Sequence, residues 1–462
     1  MKLSKFFAAA LLGSILLSSC QEDTPKYVFF MIGDGMGINQ AYATQIYNEA
    51  KGYENPQPNF LAFPVRTFFT TNCTTSRVTD SAAAGTALST GQKTYYGAMG
   101  VDENKEPAQT IAERAMASGY GAGVVTSVGV NHATPAAFYA HTDNRNNYDA
   151  IANQLFASEL SFVAGGGFNT ERKVRKTGDD YVEDAKAAGW EVYLGKDAFS
   201  SLNSSGKVLC LAEDPKATEL KYAIDQTEAD TKLTDFTKAA VDHLYRNHKK
   251  GFFLMVEGGN IDHSAHDNDG ATTFEDVNDF ARAIDVALEF YRQHPKQTLI
   301  VVTADHETGG LMLGSGNYYM NEDRLTHQTV SEGVLSSKLR ALTQQPVAPT
   351  WDEVKAVLSE CLGLWDKVQV DPRTEAHFKD LYDQTYTKKK DVSVNAWYSS
   401  HTALASDAVE YLNKVAGFGW SFEPHSGSPV GLYVIGAGAE AFMDARDNAD
   451  VPQIIATVAK YQ

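Results

Sequence analysis

Ser81 lies in the stretch Arg77-Val78-Thr79-Asp80-Ser81-Ala82-Ala83-Ala84-Gly85-Thr86, where a hydroxyl is followed by residues of almost no side-chain bulk. Alanine favours helix and serine is a favoured N-cap, so the stretch predicts a helix that starts with Ser81 as its cap. A phosphate group brought there would meet free backbone N–H groups and the positive end of the helix dipole. The small neighbours would let it approach closely. A serine hydroxyl is a weak nucleophile at neutral pH and needs a base or a metal ion to activate it. No histidine stands near Ser81 in the sequence, but metal-ligand residue types recur along the chain: Asp34, Glu257, Asp262, His263, His266, Asp305, His306 and His425. Asp262 and His266 are spaced i, i+4, which on a helix or tight loop puts a carboxylate and an imidazole on one side, a pairing that suits zinc.

These residues must be held by particular elements. Tyr27–Ile32, Gly251–Val256 and Thr298–Thr303 are short, continuously apolar runs, as expected of strands buried on both faces of a parallel sheet. Each is followed by an acid: Asp34 in a glycine-rich turn, Glu257, and Asp305 with His306. Gly121–Val128 is another such run, ahead of Asn131–Ala137 and Arg145. Open α/β sheets bind ligands at the carboxyl edge of their strands, so the common placement predicts one active edge. Helices are expected over Gln109–Ala117, residues 230–248, Phe274–Tyr291 and Ala403–Val415. His243 and His248 are read as solvated residues of the second helix. Pro424-His425-Ser426-Gly427 precedes a last strand, Leu432–Ile435. Residues 314–400 are polar and charged, with Lys388-Lys389-Lys390, and read as an insertion on the surface of the core that carries no catalytic spacing.

The first residues read as a signal for export. Lys2 and Lys5 precede an apolar run from Phe6 to Leu17, too short for a membrane span. The run ends in Leu17-Ser18-Ser19-Cys20, which resembles a bacterial lipoprotein signal and would make Cys20 the lipidated N-terminus. The expected location is the cell envelope, periplasmic or anchored to the outer membrane. Residues 21–462 then form the catalytic domain, with the insertion at about 314–400. The net charge of −18 becomes −20 once Lys2 and Lys5 are removed, and such acidity argues against a nucleic-acid partner. An anionic substrate would need local positive charge from metals or an arginine. Cys73, Cys210 and Cys361 are an odd number, widely spaced, and predict no disulfide framework.

Val78 to Asp102, VTDSAAAGTALSTGQKTYYGAMGVD, resembles the nucleophile segment of the alkaline phosphatase family, and the residues above recur in that family's order over 27–310 and about 403–462. The resemblance implies an α/β three-layer sandwich with a central, mainly parallel sheet. It also implies hydrolysis of phosphate monoesters through a phosphoserine, with two Zn2+ and one Mg2+ as cofactors. On it, Ser81 matches the nucleophile. Asp262, His266 and His425 match the ligands of one zinc, and Asp34, Asp305 and His306 those of the other. Glu257 and Thr134, with Asp34 shared, match the magnesium ligands. Arg145 matches the arginine that forks onto two phosphate oxygens, and Asp80 the acid that orients it. His132 and His263 stand where some relatives carry Asp and Lys and others His, next to the third metal. The family is commonly a homodimer.

Two other readings use the same residues differently. A phosphodiesterase would not need the Glu257/Thr134 third-metal site or Arg145 as placed, and a sulfatase would want a Cys/Ser-x-Pro-x-Arg context, which Ser81-Ala82-Ala83-Ala84 is not. A silent envelope lipoprotein that only binds metal or phosphate would have lost at least one catalytic group.

Overall fold

The aromatic and β-branched runs become the strands of a nine-stranded sheet. In this computed structural model, which describes residues 24–314, 318–395 and 397–462, these are β1 (Tyr27–Gly33), β2 (Val65–Phe69), β3 (Gly121–Thr126), β4 (Phe162–Gly165), β5 (Glu191–Leu194), β6 (Val208–Leu211), β7 (Phe252–Gly258), β8 (Thr298–Thr303) and β9 (Val430–Gly436). Their order is β2-β9-β8-β1-β7-β3-β4-β6-β5. Among the described residues β9 alone runs against the rest, antiparallel to both β8 and β2. The predicted signal segment with Cys20 lies outside the described residues.

Register is what brings the acids together. Ile32 of β1 pairs with Glu257 of β7 on one side and Thr303 of β8 on the other. Asp34 and Asp305 therefore leave the sheet side by side, with Glu257 at the same level. Thr126, at the end of β3, pairs with Glu257 in turn. A slip of one residue would turn each side chain to the opposite face.

Helices cover both faces. Leu233–Asn247 and Gly270–Gln293 pack on one, and Ile111–Ala117 and Asp450–Ala459 lie on the other, where the Ser81–Thr90 helix joins them. His243 is not solvated. It lies on the helix face that meets β3 and β4, with its ring 5.7 Å from that of Phe162, and burial lowers its pKa to about 4. His248 is half-buried.

Residues between β8 and β9 build a second apolar core. Helices Glu332–Thr343, Trp351–Leu362, Pro372–Tyr382 and Ala403–Ala416 share it with Tyr47 and Phe274 of the main body. Cys73, Cys210 and Cys361 are free and buried. No described helix is long and apolar enough to cross a membrane.

Phe253 is fully buried in β7, within aromatic range of Phe30 and Phe138. Phe253→Ala should cost about 3–5 kcal/mol through lost burial and a residual cavity, measured by denaturant unfolding. A loss below about 1 kcal/mol would mean the site's supporting strand is not packed as described.

Candidate active site

Ser81 opens its helix, but it is not the cap. Asp80 is, in extended backbone, and its Oδ1 accepts the N–H of Ala83 at 3.3 Å and of Gly97 at 3.0 Å. A carboxylate has a second oxygen to spare, and Asp80 Oδ2 pairs with Arg145 at 3.0 Å. One side chain thus caps the helix and fixes the arginine. The Ser81 hydroxyl is left out of the capping and lies 3.2 Å from His306 Nε2.

Around that nitrogen the acids converge. His306 Nε2 is 3.4 Å from Asp34 Oδ1 and 3.2 Å from Asp305 Oδ2. Its Nδ1 faces Thr308 Oγ1 at 3.3 Å. The Thr308 hydroxyl itself donates to Asp262, so it accepts from Nδ1–H and leaves Nε2 with a lone pair. Beside it, His266 Nδ1 donates to the Glu423 carbonyl at 2.8 Å and His425 Nδ1 to the Thr79 carbonyl at 2.9 Å. Their bare Nε2 atoms face each other at 3.1 Å, and lie 3.3 Å and 3.6 Å from the Asp262 carboxylate. A third group is formed by Asp34, His132 and Glu257. Thr134 donates to Asp34 Oδ2 there at 3.1 Å.

Each of the four acids of these groups, Asp34, Glu257, Asp262 and Asp305, has one oxygen held by the protein and one bare. Asp34 Oδ2 takes the Thr134 hydroxyl, Glu257 Oε2 that of Thr126, and Asp262 Oδ1 that of Thr308; Asp305 Oδ1 takes the Gly35 N–H at 3.2 Å and that of His306 at 2.9 Å. Asp34 Oδ1, Glu257 Oε1, Asp262 Oδ2 and Asp305 Oδ2 have no hydrogen-bond donor. Burial, then Asp262, pushes Asp305 up to about 8, and burial with Asp305 raises Asp34 well above the carboxylate range. Glu257 is raised by burial and by Asp34. Burial would also raise Asp262, but His266, then His425 and His306, hold this carboxyl well below the usual range when they are protonated.

Imidazole lone pairs and carboxylate oxygens gathered without donors repel one another unless cations sit among them. The separations also fit, since ligand atoms on a tetrahedron of ~2.0 Å radius stand ~3.3 Å apart. The donor set therefore suits metal ions at the group of Asp34, Asp305 and His306 and at that of Asp262, His266 and His425. The third, richer in oxygen, suits a harder ion.

Every predicted site residue is at or beside these groups. His132, expected beside the third metal, joins the Asp34–Glu257 group directly, with Nδ1 unpaired and Nε2 3.3 Å from Arg145. His263 is held by Glu219 at 2.7 Å. Thr126, Thr308, Gly35 and Glu219 carry no sequence signal for their contacts. The segment 314–400, read as a surface insertion without catalytic spacing, reaches the site through two aromatic rings. Tyr398 stacks on His263 with centroids 3.7 Å apart, and Trp397 stacks on His266 at 5.0 Å. The chain folds back here through a short hairpin, and adjacent aromatics in an otherwise polar stretch were the available signal.

A family model described as Alkaline phosphatase matches residues 25–461. Alkaline phosphatase 4 of Bacillus subtilis (strain 168) is 33% identical over 452 residues, covering 94% of this chain and 89% of its own. The crystal structure of a cold-active alkaline phosphatase from a psychrophilic Shewanella sp. superposes with a TM-score of 0.78 at 31% identity, over 94% of this chain and 99% of that one. A variant of the TAB5 alkaline phosphatase, with a histidine replaced by glutamate and magnesium bound in its M3 site, gives a TM-score of 0.66 at 26% identity over 96% of this chain and 100% of that one.

Gly35 has φ +69°, and a Cβ there would stand 2.8 Å from both Asp262 Oδ1 and Thr308 Oγ1. Gly35→Ala should displace the groups that orient Asp262 and Asp305 and weaken zinc binding by about 10–100-fold, read by competition with a chelator. Unchanged zinc affinity would separate this turn from the metal groups.

Proposed function

The chain belongs to the alkaline phosphatase family and is a metal-binding phosphoric monoester hydrolase; from that premise we propose that it works through a phosphoserine at Ser81 with two zinc ions and one magnesium ion. The observation that carries this is the placement of Ser81 Oγ, 3.2 Å from His306 Nε2 where the bare oxygens of Asp34 and Asp305 meet. Asp34, Asp305 and His306 would hold the zinc beside Ser81, and Asp262, His266 and His425 the other. Asp34, Glu257 and Thr134 would hold the magnesium. When bound, these ions supply positive charge to the attacking, leaving and non-bridging oxygens.

The protein's own groups do the rest. Arg145 forks onto two phosphate oxygens, and Asp80 holds its guanidinium in place. The Ser81 oxygen attacks phosphorus, the P–O bond to the alcohol breaks, and the hydroxyl proton leaves with the alcohol. Free N–H groups at the start of the Ser81–Thr90 helix receive the phosphate charge. Water then attacks the phosphoserine, releasing inorganic phosphate and restoring the hydroxyl. A second reading of the third site is favoured by His132: an imidazole within the group suits zinc better than magnesium.

The proposal extends to the whole chain on sequence grounds. Residues 1–20 are a lipoprotein signal, Cys20 is lipidated, and the enzyme works in the cell envelope, as a homodimer. Residues 21–462 are its catalytic domain, with 314–400 inserted.

Ser81→Ala should lower kcat on p-nitrophenyl phosphate at least about a thousandfold. Acid quenching of the parent enzyme should leave phosphate on the peptide that contains Ser81. Retained turnover, or phosphate on another residue, would overturn the assignment. The metal-loaded enzyme should also prefer p-nitrophenyl phosphate to bis-p-nitrophenyl phosphate by at least about a hundredfold in kcat/KM. A preference for the diester would make it a phosphodiesterase on this scaffold.

A further inference from the structure

A line of rings runs outward from the nucleophile. The ring of His306, next to Ser81, stacks on His425 at 3.6 Å, His425 adjoins His266 at 4.9 Å, and His266 is stacked by Trp397 at 5.0 Å with 28° between planes. Tyr398 lies flat on His263 and edge-on to His132 at 6.1 Å.

This placement is held by the fold. Trp397 and Tyr398 sit at the end of a hairpin whose strands, Ser393–Asn395 and Ser400–Thr402, are paired antiparallel. The hairpin is pinned by His401, 3.0 Å from Asp267, and Asp267 directly follows His266 in the chain. Both partners of that ion pair are buried, with side chains 4% and 6% exposed. Despite this anchoring, Trp397 remains 54% exposed and Tyr398 43%. Each ring has a site histidine against one face and solvent over much of the remainder. Scattered exposed aromatics are ordinary. Two in succession, fixed over the imidazoles that lead to Ser81, are not explained by packing.

Resting on the phosphomonoesterase reading above, we propose that Trp397 and Tyr398 form an aromatic lip of the active site that packs against the alcohol part of the ester, so that aryl and nucleoside phosphates are preferred to small aliphatic ones. Ser81 and Arg145 take the phosphate, which leaves the alcohol projecting outward. A flat, apolar alcohol group gains by stacking on an indole that is already held rigid.

The test is calorimetric binding of phenylphosphonate and methylphosphonate to the full-length, metal-loaded protein, with p-nitrophenyl phosphate turnover measured in parallel. Phenylphosphonate should bind at least about fivefold more tightly. Trp397→Ala should remove most of that ratio, and Trp397→Phe, which keeps a flat ring, should restore much of it. Tyr398→Phe should retain it. Equal affinity of the parent protein for the two phosphonates, or a ratio unchanged by Trp397→Ala, would overturn the lip while turnover left the phosphatase reading intact. Binding of neither phosphonate together with no turnover would overturn both.

Discussion

Four carboxylates buried at one edge of a sheet are the constraint on which the rest of this structure depends. Asp34, Glu257, Asp262 and Asp305 are all fully buried, and each has one oxygen tied to a protein donor and one without. Burying a single unpaired carboxylate costs several kcal/mol, so four together are tolerable only with compensating positive charge. The histidines do not remove the problem. Backbone carbonyls orient His266 and His425, and Thr308 faces His306 Nδ1, so that a lone pair from each turns toward the acids. Binding of cations and folding of the edge are therefore linked, each favouring the other.

The sheet makes this arrangement possible by register. Parallel pairing of β8, β1 and β7 sets three acids at one level, and buried apolar strands leave them little freedom to spread apart. Small residues do the complementary work on the far side. The all-buried Ser81–Thr90 helix brings backbone N–H groups and Ser81 up to His306, while Asp80 serves cap and arginine together. Its double role explains why the hydroxyl beside it is free for chemistry.

Much of this was legible in the sequence, for a local reason. Asp34, Glu257 and Asp305 each follow an apolar run of strand length, and Asp262 and His266 share a helix face, so spacing alone announces them. Arg145 and His425 became readable only through the family resemblance, because their partners are remote in the chain. What spacing could not reveal was contact between distant faces. His243 was misread because the element covering that helix face, β4, lies far from it in sequence. The cap was assigned to Ser81 because both Asp and Ser favour that position. Trp397 and Tyr398 escaped notice because a hairpin and the Asp267–His401 ion pair, rather than periodicity, carry them to the site.

If the bare oxygens and nitrogens at this edge are metal ligands arranged around Ser81, zinc must bind at two defined positions there. Anomalous diffraction at the zinc edge, from crystals of the zinc-loaded protein, tests it most directly. One peak is expected among Asp34, Asp305 and His306 and a second among Asp262, His266 and His425. No peak at either position, or zinc bound only elsewhere on the molecule, would contradict it.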